Sequence, residues 1–418
     1  MDVRILVETK ARAAREAAAV LALCSTKVKN DALAQMARGL EEKTPGLLEA
    51  NRADLERARG RSLTRAFLDR LTLTDARIEE MAQGLRQVAA LPDPVGQVVD
   101  TWRRPSGLEI SRVRVPLGVI GFIYESRPNV TADAVGLCIK SGNAVILRGG
   151  SEAIESNTLI AAVLAKALEK VGAAAEAIQF VETVDRAAVT ALLELDGLID
   201  LVIPRGGEEF VRWVSATSRV PVLKHDKGLV HVFVDADADL EVAAAIVVNA
   251  KAQRPGVCNA LETLLVHADA AERFLPLVAS RLAEAGVELR GCERTRALVP
   301  AALPAVPADW DTEYLDLILA VRVVDDLEEA IRHIRRHGSG LAEAIVTNDL
   351  AHARRFTREV DAAAVLVNAS TRLVDGHQFG MGAEMGISTS RVHARGPVGV
   401  QELTTTKFVV VGDGQVRD

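Results

Sequence analysis

From Pro116 onward the chain alternates apolar strands with helices, and that alternation restricts the fold to parallel α/β sheets. The first strand is the clearest. Leu117-Gly118-Val119-Ile120-Gly121-Phe122-Ile123-Tyr124 is an unbroken apolar run, as expected of a strand covered on both faces. A helix over 133–140, a strand over 144–147 and a helix over 151–169 are expected next, then strand 178–181, helix 186–193 and strand 198–203. A helix after Gly206-Gly207 and a strand over 221–223 complete this series. A second α/β series opens at Val230-His231-Val232-Phe233-Val234 and continues through strands near 262–266, 315–323, 344–346 and 365–367. Upstream, 3–90 reads as helical, with caps at Ser25-Thr26 and Thr72-Leu73-Thr74. In between, 98–102 and 108–115 flank Pro105-Ser106-Gly107 as a hairpin, and Phe408-Val409-Val410-Val411 is its candidate partner strand.

At 418 residues the chain is too long for one hydrophobic core, so two or more domains are expected. With 49% hydrophobic and 26% charged residues it reads as an ordinary soluble globular protein. A net charge of -7 argues against nucleic acid as a partner, since backbone phosphates need a basic face. The N-terminal stretch lacks an apolar signal core, and no window reads as a membrane span. The four cysteines (Cys24, Cys138, Cys258, Cys292) are scattered without a Cys-x-x-Cys pair, so neither a disulfide framework nor a bound metal is expected. Reduced thiols fit the cytoplasm.

Of these thiols, Cys258 sits where chemistry can be done. An Ala/Val-rich helix stops at Arg254-Pro255-Gly256, Cys258 follows, and Glu262-Thr263-Leu264-Leu265-Val266 resumes as a buried strand. A turn between helix and strand holds a thiol out as a nucleophile requires, although placement alone leaves simple packing open. Two further turns carry paired glycines beside an arginine: Leu147-Arg148-Gly149-Gly150-Ser151 and Ile203-Pro204-Arg205-Gly206-Gly207. Glycine lets a phosphate approach the backbone, and a helix start supplies N–H donors; purely geometric glycines are the alternative. Ser151 is also suited to cap a helix. Tyr124-Glu125-Ser126-Arg127-Pro128-Asn129 closes the first buried strand at the edge where α/β sheets place ligands, with Asn129 as a helix cap the alternative reading. Gln378 through Gly386 is too glycine-rich for a regular element and reads as a loop whose backbone approaches a ligand or another chain.

Together these stretches resemble the aldehyde dehydrogenase superfamily, and within it the branch that reduces γ-glutamyl phosphate in proline biosynthesis. The resemblance is carried by 124–133 (YESRPNVTAD), 142–150 (GNAVILRGG), 203–207 (IPRGG), 249–262, 367–371 (VNAST) and 378–406. It implies an aldehyde dehydrogenase-like fold of two parallel-sheet α/β domains with a small oligomerisation flap. The implied boundaries are 1–97 and 116–228 for an NADP-binding domain, 98–115 and 388–418 for the flap, and 229–387 for the catalytic domain. It makes Cys258 the nucleophile that forms a thioester and Asn129 an oxyanion-hole donor. Arg148, Ser151, Arg205, Gly206 and Gly207 fall in the turns that contact NADP(H), and Glu313 matches the glutamate that holds the nicotinamide ribose. Arg127, Arg254, Ser370 and Thr371 are candidates for gripping the substrate, a small molecule, glutamyl phosphate. A homo-oligomer is implied. One departure has mechanistic weight: where hydrolytic relatives carry a water-activating glutamate, this chain has Lys224-His225-Asp226-Lys227-Gly228. Hydrolysis of an aldehyde-derived thioester is the rival activity, and an idle assembly subunit the rival from another class.

Overall fold

The computed structural model describes residues 2–59, 65–225 and 227–417. The chain folds as two compact units: 1–224 with 380–386 and 398–418, and 225–379 with 387–397. The segment 388–397, assigned to the flap from the sequence, therefore lies in the second unit.

The first unit opens with the helices Val3–Leu21, Thr26–Glu42, Thr44–Arg59, Arg65–Leu71 and Asp75–Ala90. In the first of them Val7, Ala11, Ala14, Ala18 and Leu21 are buried, the three- and four-residue spacing of one helix face. Ser25 and Thr74 cap their helices as expected, each side-chain oxygen accepting an N–H of the first turn. The sheet has four strands in the order Ile178–Phe180, Ala144–Arg148, Val119–Tyr124, Leu201–Arg205, and every pairing is parallel. Val119–Tyr124 is buried at every position. Each such Val, Ile or Phe contributes about 1.5–3 kcal/mol by leaving water. The strand expected over 221–223 is reduced to a single bridge between Val222 and Val202, because Pro221 has no N–H to continue a ladder.

The hairpin forms as expected. Val98–Arg103 and Glu109–Pro116 pair antiparallel, and Thr404–Val411 adds to the second of them. The Asn143 side chain fixes this ribbon's root, donating to the Leu403 carbonyl and accepting from Gly118 N–H. Val98, Val99, Trp102, Phe408, Val409, Val410 and Val411 are all exposed along it.

The second unit is a seven-stranded parallel sheet ordered Leu303–Pro304, Glu288–Gly291, Ile318–Val324, Leu261–His267, Val230–Val234, Ala342–Val346, Ala364–Val367. The two outermost strands at one end, the edge strand near 303 and its neighbour near 288, escape a reading based on apolar runs, since Glu288 and Arg290 interrupt the pattern. Its main core joins Val232, Val234, Leu264, Val266, Leu319 and Val321 to Val247, Phe274 and Val278 from the helices Leu240–Ala252 and Ala268–Glu284.

Candidate active site

In the first unit the parallel register puts Arg148 beside Ile123 and Arg205 beside Tyr124, so both glycine turns and the Glu125–Asn129 loop leave the same carboxyl edge of the sheet. Tyr124 is buried, its hydroxyl 2.6 Å from that of Thr131, which in turn donates to Asn157. This chain of bonds fixes the start of the helix Pro128–Lys140, five residues earlier than the expected 133. Proline takes the first helical position, where its missing N–H is harmless. Asn129 is thus an exposed first-turn residue, and the helix cap position is held by Arg127, whose side chain does not bond the first-turn N–H groups. The capping alternative for Asn129 is removed.

Ser151 likewise opens a short 3-10 turn, and Ala153 precedes the helix Ile154–Lys170 with no side-chain cap; Ser151 is half-buried. Arg148 is buried and folded back, donating to the carbonyls of Gly149 at 2.9 Å and Val184 at 3.4 Å, while its Nε has no partner. Burial pulls its guanidinium down from the ordinary arginine range, with Glu152 opposing that shift. Arg205 lies against Gly386, where a Cβ would come within 2.5 Å of its Nη1. It also faces Asp133, whose carboxyl is pushed up to about 6 by burial and drawn back by Arg205. Gly207 precedes the helix Glu208–Thr217 and is open, with nothing within 4 Å of where a Cβ would stand. Its N–H donates to the Glu125 carboxylate at 3.0 Å. An anionic oxygen thus already sits on this helix start, the chemistry a pyrophosphate would use there, and the orphaned Arg148 Nε is a further donor. These turns fit a dinucleotide.

In the second unit Cys258 lies half-buried between the helix Leu240–Ala252 and the strand Leu261–His267, beside a small core of Val230, Leu341, Ala342, Val374 and Ile387. Its backbone is fixed by close approach: a Cβ on Gly228 would stand 2.1 Å from the Cys258 carbonyl oxygen. Gly228 N–H donates to Glu313 Oε1 at 3.0 Å, which brings together the cysteine loop, the segment before Val230 and the loop before Ile318. Asp226, in the stretch that replaces the water-activating glutamate, lies outside the described residues.

A buried ion pair supports these loops. Lys251 Nζ meets Glu262 Oε2 at 2.8 Å with both side chains at most 1% exposed, and Glu262 Oε1 accepts the Leu315 N–H at 3.2 Å. Burial pulls the ammonium down and pushes the carboxyl up, each opposed by the other's charge. Tyr314, between Glu313 and Leu315, has Lys251 on its ring at 5.9 Å and Arg290 at 5.1 Å, and donates its hydroxyl to Asp309.

Of the substrate candidates, Thr371 is fully buried and donates to the Asn259 carbonyl, and Ser370 donates to Asn249 Oδ1 at 2.6 Å. Both hydroxyls brace the loop. The neighbouring Arg372 does more, and sequence reasoning passed over it. Its Nε donates to Gln253 Oε1 at 2.9 Å and its Nη1 to Asn259 Oδ1, so it spans the segment that holds Arg254 and Cys258. Burial lowers its pKa first and repulsion from Arg254 second, with Asp375 and Cys258 acting the other way. Arg254 is exposed on the same loop. Lys251 and Glu262 also carried no expected role, although a charge inside an Ala/Val helix and another inside an apolar strand were visible signals. Among the described residues no group of three or more His, Cys, Asp and Glu could hold a metal ion, and no helix is long and apolar enough to cross a membrane.

The sequence profile of the aldehyde dehydrogenase family matches residues 5–295 and 310–409. Over 417 residues the chain is 57% identical to the gamma-glutamyl phosphate reductase of Moorella thermoacetica, covering 100% of both. It is 55% identical over 417 residues to that of Geobacter metallireducens, again covering 100% of both. Among solved structures, the gamma-glutamyl phosphate reductase of Thermotoga maritima matches with a TM-score of 0.97 at 50% identity, covering 99% of this chain and 100% of that one. An acetylating aldehyde dehydrogenase from Geobacillus thermoglucosidasius, 16% identical with a TM-score of 0.69, shares the fold. By profile, sequence and fold, the chain belongs to the aldehyde dehydrogenase family and, within it, to the gamma-glutamyl phosphate reductases.

Proposed function

We propose that this protein reduces L-glutamyl 5-phosphate to L-glutamate 5-semialdehyde with NADPH, releasing phosphate, as a step of proline biosynthesis. The observation that carries the reading is 57% identity along the full length of a gamma-glutamyl phosphate reductase. Cys258 is the nucleophile: its thiolate attacks the acyl carbon, the carbon–oxygen bond to phosphate breaks, and a thioester remains on sulfur. Asn129 is the proposed amide donor to the carbonyl oxygen as negative charge develops there. When bound, NADPH supplies the hydride that reduces the thioester, and the aldehyde leaves as the thiolate is regenerated. Gly206, Gly207, Ser151, Arg148 and Arg205 are the residues proposed to hold the dinucleotide phosphates, and Glu313 the nicotinamide ribose. Arginine beside both turns favours a 2′-phosphate, hence NADPH over NADH.

The exposed apolar ribbon of Trp102, Phe408 and Val409–Val411 supports a homo-oligomer, because an uncovered strand edge of this kind invites pairing with another copy. A cytoplasmic location accompanies the reading; no two of the four cysteines are joined. The test runs the reaction backwards with glutamate semialdehyde and either NADP or NAD. NADPH formation is expected to require inorganic phosphate and to exceed NADH formation. Equal turnover in phosphate-free buffer means that water resolves the thioester, and the reading then gives way to the hydrolytic one.

A further inference from the structure

The helix Leu240–Ala252 runs into the cysteine loop by its C-terminal end, with Gln253 as the cap. That end carries the negative pole of the helix and offers carbonyls, not N–H groups, so by itself it repels an anion. The reaction proposed above nevertheless brings a thiolate and a phosphate dianion to this loop. Side-chain cations must offset the helix end. Arg372 is built for this. It is bonded on one side to Gln253 and on the other to Asn259, the residue that follows Cys258. Adjacent Cα atoms are about 3.8 Å apart, so a guanidinium held by Asn259 lies within a side chain's length of the sulfur. It also faces a second guanidinium, Arg254, and that repulsion is tolerated in a half-buried position. The acidic neighbour that acts on it, Asp375, already accepts the N–H groups of His377 and Gln378. Like charges held together against partial burial mark a place where an anion completes the balance.

We propose that Arg372 receives the phosphoryl group of the acyl phosphate, with Arg254 as the outer cation of the same anion site. The inference rests on the reading of this chain as an acyl phosphate reductase. The phosphoryl oxygen is bonded to the carbon that sulfur attacks, so its charge must arrive beside Cys258. The substrate's α-carboxylate is separated from that carbon by three further carbons and is not forced there. In the first step the sulfur–carbon bond forms, the carbon–oxygen bond breaks with its electron pair going to phosphate, and Arg372 neutralises the departing dianion.

Two measurements test this, one without turnover. Alkylation of Cys258, followed on its own peptide, is compared for anionic iodoacetate and neutral iodoacetamide. The iodoacetate-to-iodoacetamide rate ratio is expected to fall about tenfold in Arg372→Gln and to stay near the parent value in Arg372→Lys. In the reverse reaction, KM for inorganic phosphate is expected to rise about 10- to 100-fold in Arg372→Gln and a few-fold in Arg372→Lys, with KM for the semialdehyde within about twofold. A rise confined to the semialdehyde KM assigns Arg372 to the α-carboxylate and overturns the proposal. A loss of kcat with both KM values and the alkylation ratio unchanged makes it a loop tie only, and overturns it too. If the parent protein shows no phosphate-dependent turnover, the functional reading fails, while the alkylation ratio still decides whether the anion site exists.

Discussion

The two units present the groups proposed to function at opposite ends of their strands. In the first, Arg148, Arg205 and the Glu125–Asn129 loop follow strand ends, at the carboxyl edge. In the second, Gly228, Cys258 and Glu313 all precede strands, at the amino edge. The difference has a chemical consequence. At a carboxyl edge each strand turns into a helix start, where unsatisfied N–H groups and a positive pole already favour an anion before any side chain adds to them. Gly207 shows this with Glu125 on its N–H. At an amino edge helices end, and the available backbone groups are carbonyls. Specific side chains must then do what N–H groups do elsewhere, the role proposed for Arg372 across the cysteine loop, while the Lys251–Glu262 pair braces the same edge. Substitutions at the amino edge should therefore be costly, and those at the carboxyl edge mild.

The largest effect is expected at Cys258. Cys258→Ala should lower turnover by at least about a thousandfold, because no second thiol is held on this loop. Folding and NADPH binding should survive, since the side chain is half-buried and the substitution removes one atom. Calorimetry with NADPH alongside the activity assay checks both halves; substantial residual activity removes the covalent mechanism.

Next comes the ion pair. Lys251→Met strands a buried carboxylate, and is expected to cost about 3–5 kcal/mol in urea unfolding. Lys251→Met with Glu262→Leu replaces both charges by apolar groups of similar volume and should restore most of that loss. It should not restore KM for NADPH, because the Leu315 N–H that fixes the loop after Glu313 has lost its acceptor. If the double variant recovers both stability and KM, the pair is scaffolding and the contrast between the two edges weakens.

These residues also mark what could and could not be read from sequence. Strands such as Val119–Tyr124 and Val230–Val234 were legible because burial on both faces leaves nearly continuous apolar runs, broken in the second only by His231. The ribbon was legible because alternating polarity and a Pro-Ser-Gly turn specify a hairpin. Cys258 and the glycine turns could be nominated because breaking a helix, or the proposed admission of a phosphate, demands particular residue types. Strand Glu288–Gly291 was missed because only the two-residue strand Leu303–Pro304 lies outside it, and its partly exposed positions permit charges. Arg372 was missed for a different reason: its role depends on Gln253 and Asn259, more than a hundred residues away, and no local pattern encodes that meeting. The sequence nominated Ser370 and Thr371 from the same motif, and packing ties both hydroxyls to Asn249 and Asn259, a meeting no local pattern encodes.

The smallest effect, and the sharpest test of the carboxyl edge, is expected at Glu125. Its carboxylate accepts the Gly207 N–H at 3.0 Å and would lie 3.1 Å from a Cβ on Gly206, so it rests on the turn assigned to the dinucleotide phosphates. The carboxylate is exposed, so its hold on that N–H is screened and modest. A phosphate arriving at this helix start has to displace it and is repelled by it until it moves. Glu125→Gln removes the charge while keeping an acceptor oxygen of the same reach. KM for NADPH is expected to fall about two- to fivefold, with kcat unchanged and the change largest at low ionic strength. The same substitution should leave KM for inorganic phosphate in the reverse reaction untouched, because that anion is assigned to the amino edge of the other unit. A rise in KM for NADPH would mean that Glu125 holds the ligand and does not merely precede it. The Gly207 helix start would then no longer count as an anion site, and the distinction between the two edges would have to be abandoned.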